Sequence, residues 1–168
     1  ILEAMGRTLS MTVIGCSVGL VCGLLIAVLR QSNSRTLIPI KFIAITYVEI
    51  FRRIPFLVIL FIVLFVIEPL MPGTSLLGIA TVAVCLLSTA FLSEIIRAGL
   101  ESVPPQQIEG AKTLNFSFLQ TIMLVMLPQS WKVILPPAAA FIVMFIKDTA
   151  LASQLGVIEL TFVGKMLV

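Results

Sequence analysis

Long apolar runs, separated by short polar ones, organise this chain. Thr8–Leu29 carries no charged side chain. A bilayer's hydrocarbon core is crossed by about 20 mostly apolar helical residues, so this run predicts a first membrane-spanning helix. RQSNSRT, Arg30–Thr36, follows, and its two arginines mark a cytoplasmic loop. The next apolar stretch, Leu37–Met71, is too long for one simple span and is interrupted by Lys41 and by EIFRRIP, Glu49–Pro55. Pro55 has no N–H to donate, which predicts a kink or break near Arg53. The favoured path is one helix from Leu37 to Pro69, bent in the middle. The alternative is an interfacial helix to Phe51 followed by a span from Ile54, and the sequence does not decide between them.

EPLMPGTS, Glu68–Ser75, has two prolines and no basic residue, and reads as an extracytoplasmic turn. Leu76–Ile96 predicts a third span, and Arg97–Ser117 a cytoplasmic segment. Phe116–Leu127 predicts a very apolar helix lying along the membrane surface. Trp131 and Lys132 suit an interface anchor for a fourth span, counted from Val133 to Ala152 and bent near its start by Pro136 and Pro137. Glu159–Val168 looks like the start of a fifth. The expectation is an all-α membrane protein forming one transmembrane domain over residues 1–168. It has four spans plus the start of a fifth, a cytoplasmic loop at about 98–127, and truncation at both ends.

Composition sharpens this picture. The chain is 60% hydrophobic and 11% charged, where soluble proteins run about 25% charged. Its net charge of +3 comes from 11 basic and 8 acidic residues scattered along the chain, which is no nucleic-acid footprint. Cys16, Cys22 and Cys85 lie in apolar runs without a CxxC spacing, and there is no histidine, so a metal site is not expected. The phosphate-cradling pattern GxxxxGK[ST] is absent. No nucleophile with its base and no paired carboxylates are apparent. No catalytic residue and no cofactor bound by this chain are therefore expected.

Five groups of residues remain as candidates for work. Gly15, Gly19 and Gly23 share one helix face, a stripe that lets a second helix approach closely. Gln106–Leu114, opened by Pro104 and Pro105, suits a short helix, and Asn115 tolerates the left-handed conformation that ends one. With Phe116 onward forming a second helix, the segment predicts a protruding knob. Glu109 and Lys112 would lie on one face of it, and small Gly110 and Ala111 would permit a partner's close approach. Arg52, Arg53 and Glu49 lie near the helix break, where charge at bilayer depth turns to a partner, a cavity or the interface. Two roles for Arg52 stay open, carboxylate recognition or a gating contact, beside plain snorkelling to lipid phosphate. Lys147 and Asp148, with the hydroxyls of Thr149 and Ser153, line a pathway or form a membrane-edge pair. Glu94 and Arg97, three apart, read as an intrahelical pair.

EGAKTLN, Glu109–Asn115, with Leu127-Pro128 further on, resembles the EAA loop of ABC-transporter permease subunits. That family carries Glu-Ala-Ala, three residues, Gly, and later Ile/Leu-Leu-Pro. Here Gly110 replaces the first Ala and Asn115 replaces the Gly. YVEIFRRIPFLVILF (Tyr47–Phe61), AFLSEIIRAGLESVPPQQIEGAKTL (Ala90–Leu114), LPQSWKVILPP (Leu127–Pro137) and KDTALASQLGVIEL (Lys147–Leu160) resemble the polar-amino-acid uptake branch, so the resemblance covers nearly the whole chain. IFRRIPFLVIL is also similar to methionine permeases.

The resemblance implies a five-helix importer permease with cytoplasmic coupling helices in a bacterial inner membrane. It implies a second permease subunit, identical or different, two ATPases holding ATP and Mg, an extracytoplasmic solute-binding protein and an amino-acid substrate. Glu109, Gly110, Ala111, Lys112, Leu114 and Asn115 would dock on the ATPase; Glu49, Arg52, Lys147, Asp148, Thr149 and Ser153 would belong to the substrate pathway. Members of this branch often carry a polar pair after the prolines of span four, where this chain has Ala140 and Phe141. That departure leaves open a partner subunit holding the substrate contacts, or a less polar substrate such as methionine. Two other classes compete: a membrane scaffold or assembly protein without a transport path, and an ion-coupled carrier working alone. Neither needs an ATPase-docking loop, and the inverted repeats common in carriers are not seen.

Overall fold

The computed structural model describes residues 1–32 and 34–167. Asn33, in the first polar loop, and Val168, at the end of the last apolar run, lie outside the described residues. Among the described residues every regular element is helical. In lipid this follows from the backbone, since a helix satisfies its own N–H and C=O groups where no water can.

α1 (Leu2–Gln31) and α4 (Leu76–Glu101) are the two longest single helices and form the central pair. α1 buries Ala4, Thr8, Met11, Thr12, Gly15, Cys16, Gly19, Gly23 and Ala27, one stripe at helical spacing. A Cβ on Gly19 would lie 2.5 Å from Ser88 Oγ and 2.9 Å from the Ser88 carbonyl carbon. One on Gly23 would lie 2.8 Å from the Ser93 backbone nitrogen. The seam thus brings two backbones together at positions where no side chain fits.

α2 (Ile38–Arg53) and α3 (Phe56–Leu70) flank α4. Their axes turn through 117° at Ile54-Pro55, both extended. Pro55 forces this, because its ring disfavours helical geometry at the preceding residue. The break is therefore complete: a single helix bent in the middle does not describe it, and the chain forms two helices that part at Ile54, as in the alternative path. Three helical runs are long and apolar enough to cross a membrane, or four if α2 and α3 count as one broken span.

A turn at Met71–Ser75, with Gly73 at φ +87°, leads into α4, whose N-cap Ser75 accepts the Gly78 N–H. After α4, Pro104 starts α5 (Pro105–Thr113). The separate surface helix expected over Phe116–Leu127 is not present. α6 (Phe118–Gln120), a π-helical stretch over Thr121–Met126, α7 (Leu127–Asp148) and a 3-10 stretch over Thr149–Leu155 form one uninterrupted helix. Nothing between Ser117 and Leu127 breaks a helix. Pro128 is accommodated by widening: the coil just before it is π-helical, and the Leu127 N–H donates to Ile122 O, five residues back. A widened turn relieves the clash a proline ring makes with the carbonyl four residues earlier.

The long helix ends at Gly156 (φ +84°), and α8 (Leu160–Met166) begins at Glu159. Glu159 is fully buried, caps α8 by accepting the Thr161 and Phe162 N–H groups at 2.8 Å each, and accepts the Thr8 hydroxyl of α1 at 3.4 Å.

Candidate functional site

α5 is a short polar helix between the two long apolar ones, α4 and the helix that begins at Phe118. Pro105 sits in its first turn, where no N–H is required. Its end is a complete Schellman cap. Phe116 N–H donates to Ala111 O and Asn115 N–H to Lys112 O, both at 3.0 Å, with Asn115 at φ +55°. Asn115 is the only non-glycine residue at positive φ among the described residues.

Glu109, Gly110, Lys112, Leu114 and Asn115 are exposed, and nothing approaches a Cβ built on Gly110 within 4 Å. Ala111 differs from the expectation that it would face a partner, being only 4% exposed. It is three residues from Ile108 and so on the same helix face, and that face packs toward the π-helical stretch. Glu109 and Lys112 form no ion pair with each other among the described residues. Lys112, with Gln31, Ile108, Phe116, Ile122 and Met126, lines a cleft of about 320 Å³ between α5 and the long helix.

A second polar centre forms where α1, α2 and α4 end. Glu94 accepts from Arg97 and from Arg30 at 2.8 Å, and Arg52 stands 3.9 Å away. Arg97 also pairs with Glu101, which accepts from Gln31 at 3.4 Å. The intrahelical pair of Glu94 and Arg97 is thus one edge of a network that ties three helices. Sequence reasoning missed Arg30 as a partner. Its only signal was a lone carboxylate, Glu94, in an apolar run leading to a basic loop.

Arg52 also lies over the Phe91 ring, 5.7 Å from its centroid. Both line a cleft of about 240 Å³ with Glu94, Gly99, Val133 and Pro137. Arg53 and Glu49 pair at 2.7 Å on the outer side of α2. So Arg52 points to the interior network, and Glu49 does not.

Lys147, Asp148, Thr149 and Ser153 lie at the other end of α7. Lys147 is exposed and Asp148 half-buried. Thr149 is buried and donates to Ile146 O at 2.6 Å, and Ser153 accepts from the Lys165 ammonium at 3.3 Å. No ion pair or hydrogen bond among the described residues joins this group to Arg52. An aromatic row bridges the gap: Phe91 stacks on Phe141 (5.3 Å), Phe141 on Phe145 (5.0 Å), and Phe145 meets Phe56 (5.4 Å) just after the Pro55 break. Phe141, where a polar residue was looked for, is instead a buried link in this row, while Ala140 is exposed. The arrangement offers positive charge beside aromatic surface.

Residues 19–166 match the family model described as "binding-protein-dependent transport system inner membrane component". The chain is 35% identical over 153 residues to an L-cystine transport system permease protein of Bacillus subtilis, covering 91% of this chain and 64% of that protein's length. It is 34% identical to a probable amino-acid ABC transporter permease protein of the same organism, over 95% of this chain and 70% of that one. Among solved structures, an amino acid ABC transporter crystallised with histidines superposes with a TM-score of 0.86 at 29% identity, over 99% of this chain and 76% of that one. The inward-facing methionine transporter MetNI shares the fold, with a TM-score of 0.85 at 22% identity over 99% of this chain and 79% of that one.

Proposed function

We propose, starting from the fact that this chain belongs to the family of binding-protein-dependent transport system inner membrane components, that it forms the translocation pathway of an ATP-driven amino-acid importer. The chain is a multi-pass inner-membrane protein and, like its relatives, a permease subunit. Its partners in this reading are a second permease subunit, two ATPase subunits that hold ATP and Mg, and an extracytoplasmic protein that delivers the amino acid.

The observation that carries the reading is the family match over residues 19–166. The exposed face of α5 supports the docking role: Glu109, Gly110, Lys112 and Leu114 are exposed on a short helix locked at its C-terminal end by the Schellman cap. A locked helix transmits a push; a flexible loop absorbs it. When two ATPases close on ATP, such helices move with them, and the spans shift between outward-open and inward-open states. Chemistry happens on the ATPases and none on this chain.

A less polar amino acid such as methionine is the second reading. Phe141 in the aromatic row, without a polar neighbour beside it, favours it.

The test is purification of the full-length chain in mild detergent, wild type beside Glu109→Lys, with subunit masses identified and uptake of radiolabelled amino acids measured in vesicles. An ATPase that copurifies with wild type and is lost or weakened in the variant supports the docking role. Loss of uptake on competition by one amino-acid class identifies the substrate. An intact, folded chain that retains no ATPase, or uptake that no amino acid competes, overturns the reading.

A further inference from the structure

An apolar cleft of about 570 Å³ opens on the surface between α1, α2 and α4. Each helix contributes a stripe at helical spacing: Val18, Cys22, Ile26 and Leu29 from α1, with Ile40, Ile43, Ala44 and Tyr47 from α2 and Val82, Cys85, Leu86 and Thr89 from α4. Tyr47 donates its hydroxyl to Leu86 O at 2.5 Å, which ties α2 to α4 and uses up the one phenol in the lining.

The cleft has a length and a polarity. Eleven helical steps from Val18 to Leu29 span about 16 Å, close to the roughly 15 Å depth of one leaflet. At the Leu29 and Ile40 end the chain passes through its first polar loop. Arg30 there is occupied by Glu94. Lys41 donates only to Ser32 O at 3.3 Å, and neither Lys41 nor Arg35 forms an ion pair among the described residues. No acidic residue occurs between Arg30 and Val48. The preference for basic residues in cytoplasmic loops accounts for these charges, but not for an apolar cleft whose Leu29 and Ile40 end adjoins them in the chain.

We propose that this cleft holds an acyl chain of an anionic glycerophospholipid from the cytoplasmic leaflet, with its headgroup phosphate against Lys41 and Arg35. The long chain lies along the three apolar stripes. The phosphate accepts hydrogen bonds from the ammonium and guanidinium groups at the cleft's mouth. The lipid then packs α2, which has few buried residues of its own, against the α1–α4 pair.

The experiment is native mass spectrometry of the full-length chain released from nanodiscs containing equal phosphatidylglycerol and phosphatidylcholine. The expected result is preferential retention of phosphatidylglycerol. Each basic residue near a membrane surface strengthens anionic-lipid attraction about fivefold, so Arg35→Glu with Lys41→Glu should abolish the preference. Ile43→Trp, which fills the cleft without touching the charges, should reduce retention of both lipids at this site. Glycerophosphoglycerol, the headgroup without chains, should not compete. Four results overturn the proposal: equal retention of the two lipids by wild type, a preference that survives the double charge reversal, competition by the free headgroup, or a photo-cross-link from position 43 to another protein subunit in the whole complex.

Discussion

Ser88 of α4 donates its hydroxyl to the carbonyl oxygen of Gly15 of α1 at 2.6 Å. A side-chain bond to a backbone carbonyl on another helix requires the two helices to be nearly in backbone contact. Substitutions along this seam should therefore act in order of what a new methyl group meets. At Gly23 the nearest atoms are all backbone of Leu92 and Ser93, so Gly23→Ala should cost about 1–3 kcal/mol by overpacking. Gly110→Ala, with nothing within 4 Å, should leave thermal unfolding in detergent unchanged. A Gly23→Ala midpoint equal to wild type would mean that the helices separate easily.

Glu94 is the one carboxylate shared by Arg30, Arg52 and Arg97. Its side chain is 19% exposed, so Glu94→Gln should lower stability by about 2 kcal/mol, less than the loss of a fully buried pair. The damage should spread to three helices. Hydrogen exchange should rise together at the C-terminal ends of α1, α2 and α4. Glu3→Gln, which removes an exposed pair with Arg7, should change nothing measurable.

Asn115 holds φ +55°. Glycine adopts this conformation freely, whereas a β-branched residue is strained there by about 1–2 kcal/mol. Asn115→Gly should keep the exchange protection of α5, and Asn115→Val should lose it while leaving α1 and α4 unaltered. If the docking role is right, only the valine variant uncouples ATP hydrolysis from uptake in reconstituted vesicles.

Glu159 is fully buried and is satisfied by two backbone N–H groups and the Thr8 hydroxyl. Glu159→Ala should expose the α8 amides to exchange at a cost of about 1–2 kcal/mol. Thr8→Val should produce a smaller version of the same effect. Combined, the two should cost less than their sum, since they share one contact.

Local chemistry was legible in the sequence, and long-range geometry was not. Pro55 announced its break, and Asn115 its left-handed turn, because each residue's own backbone preference dictates the outcome. The 117° angle at that break depends on what packs on either side, including Phe56 against Phe145, and no neighbouring residue encodes it. Arg30 and Glu94 are 64 residues apart, so their pairing belongs to the tertiary fold. Ala111 was mistaken for an outward residue because its small size was read without its phase relative to Ile108. The apolar run after Ser117 was assigned to a surface helix because Trp131 and Lys132 were read as the anchor where the fourth span begins. A π-helical turn let it continue.

That π-helical turn also sets an angular phase. Every residue an α-helix advances turns it by about 100°, and the wider coil over Thr121–Met126 spends a residue without that advance. Everything beyond it, including Ile134 where it lies over Gly99 of α4, is aimed by this offset. Reverting the coil to ordinary α-helix would rotate α7 like a key in a lock, swinging Ile134 off its glycine and turning the aromatic row away from Phe91. The face that this helix shows to the rest of the bundle is thus decided at its N-terminal root, close to the cap that holds α5.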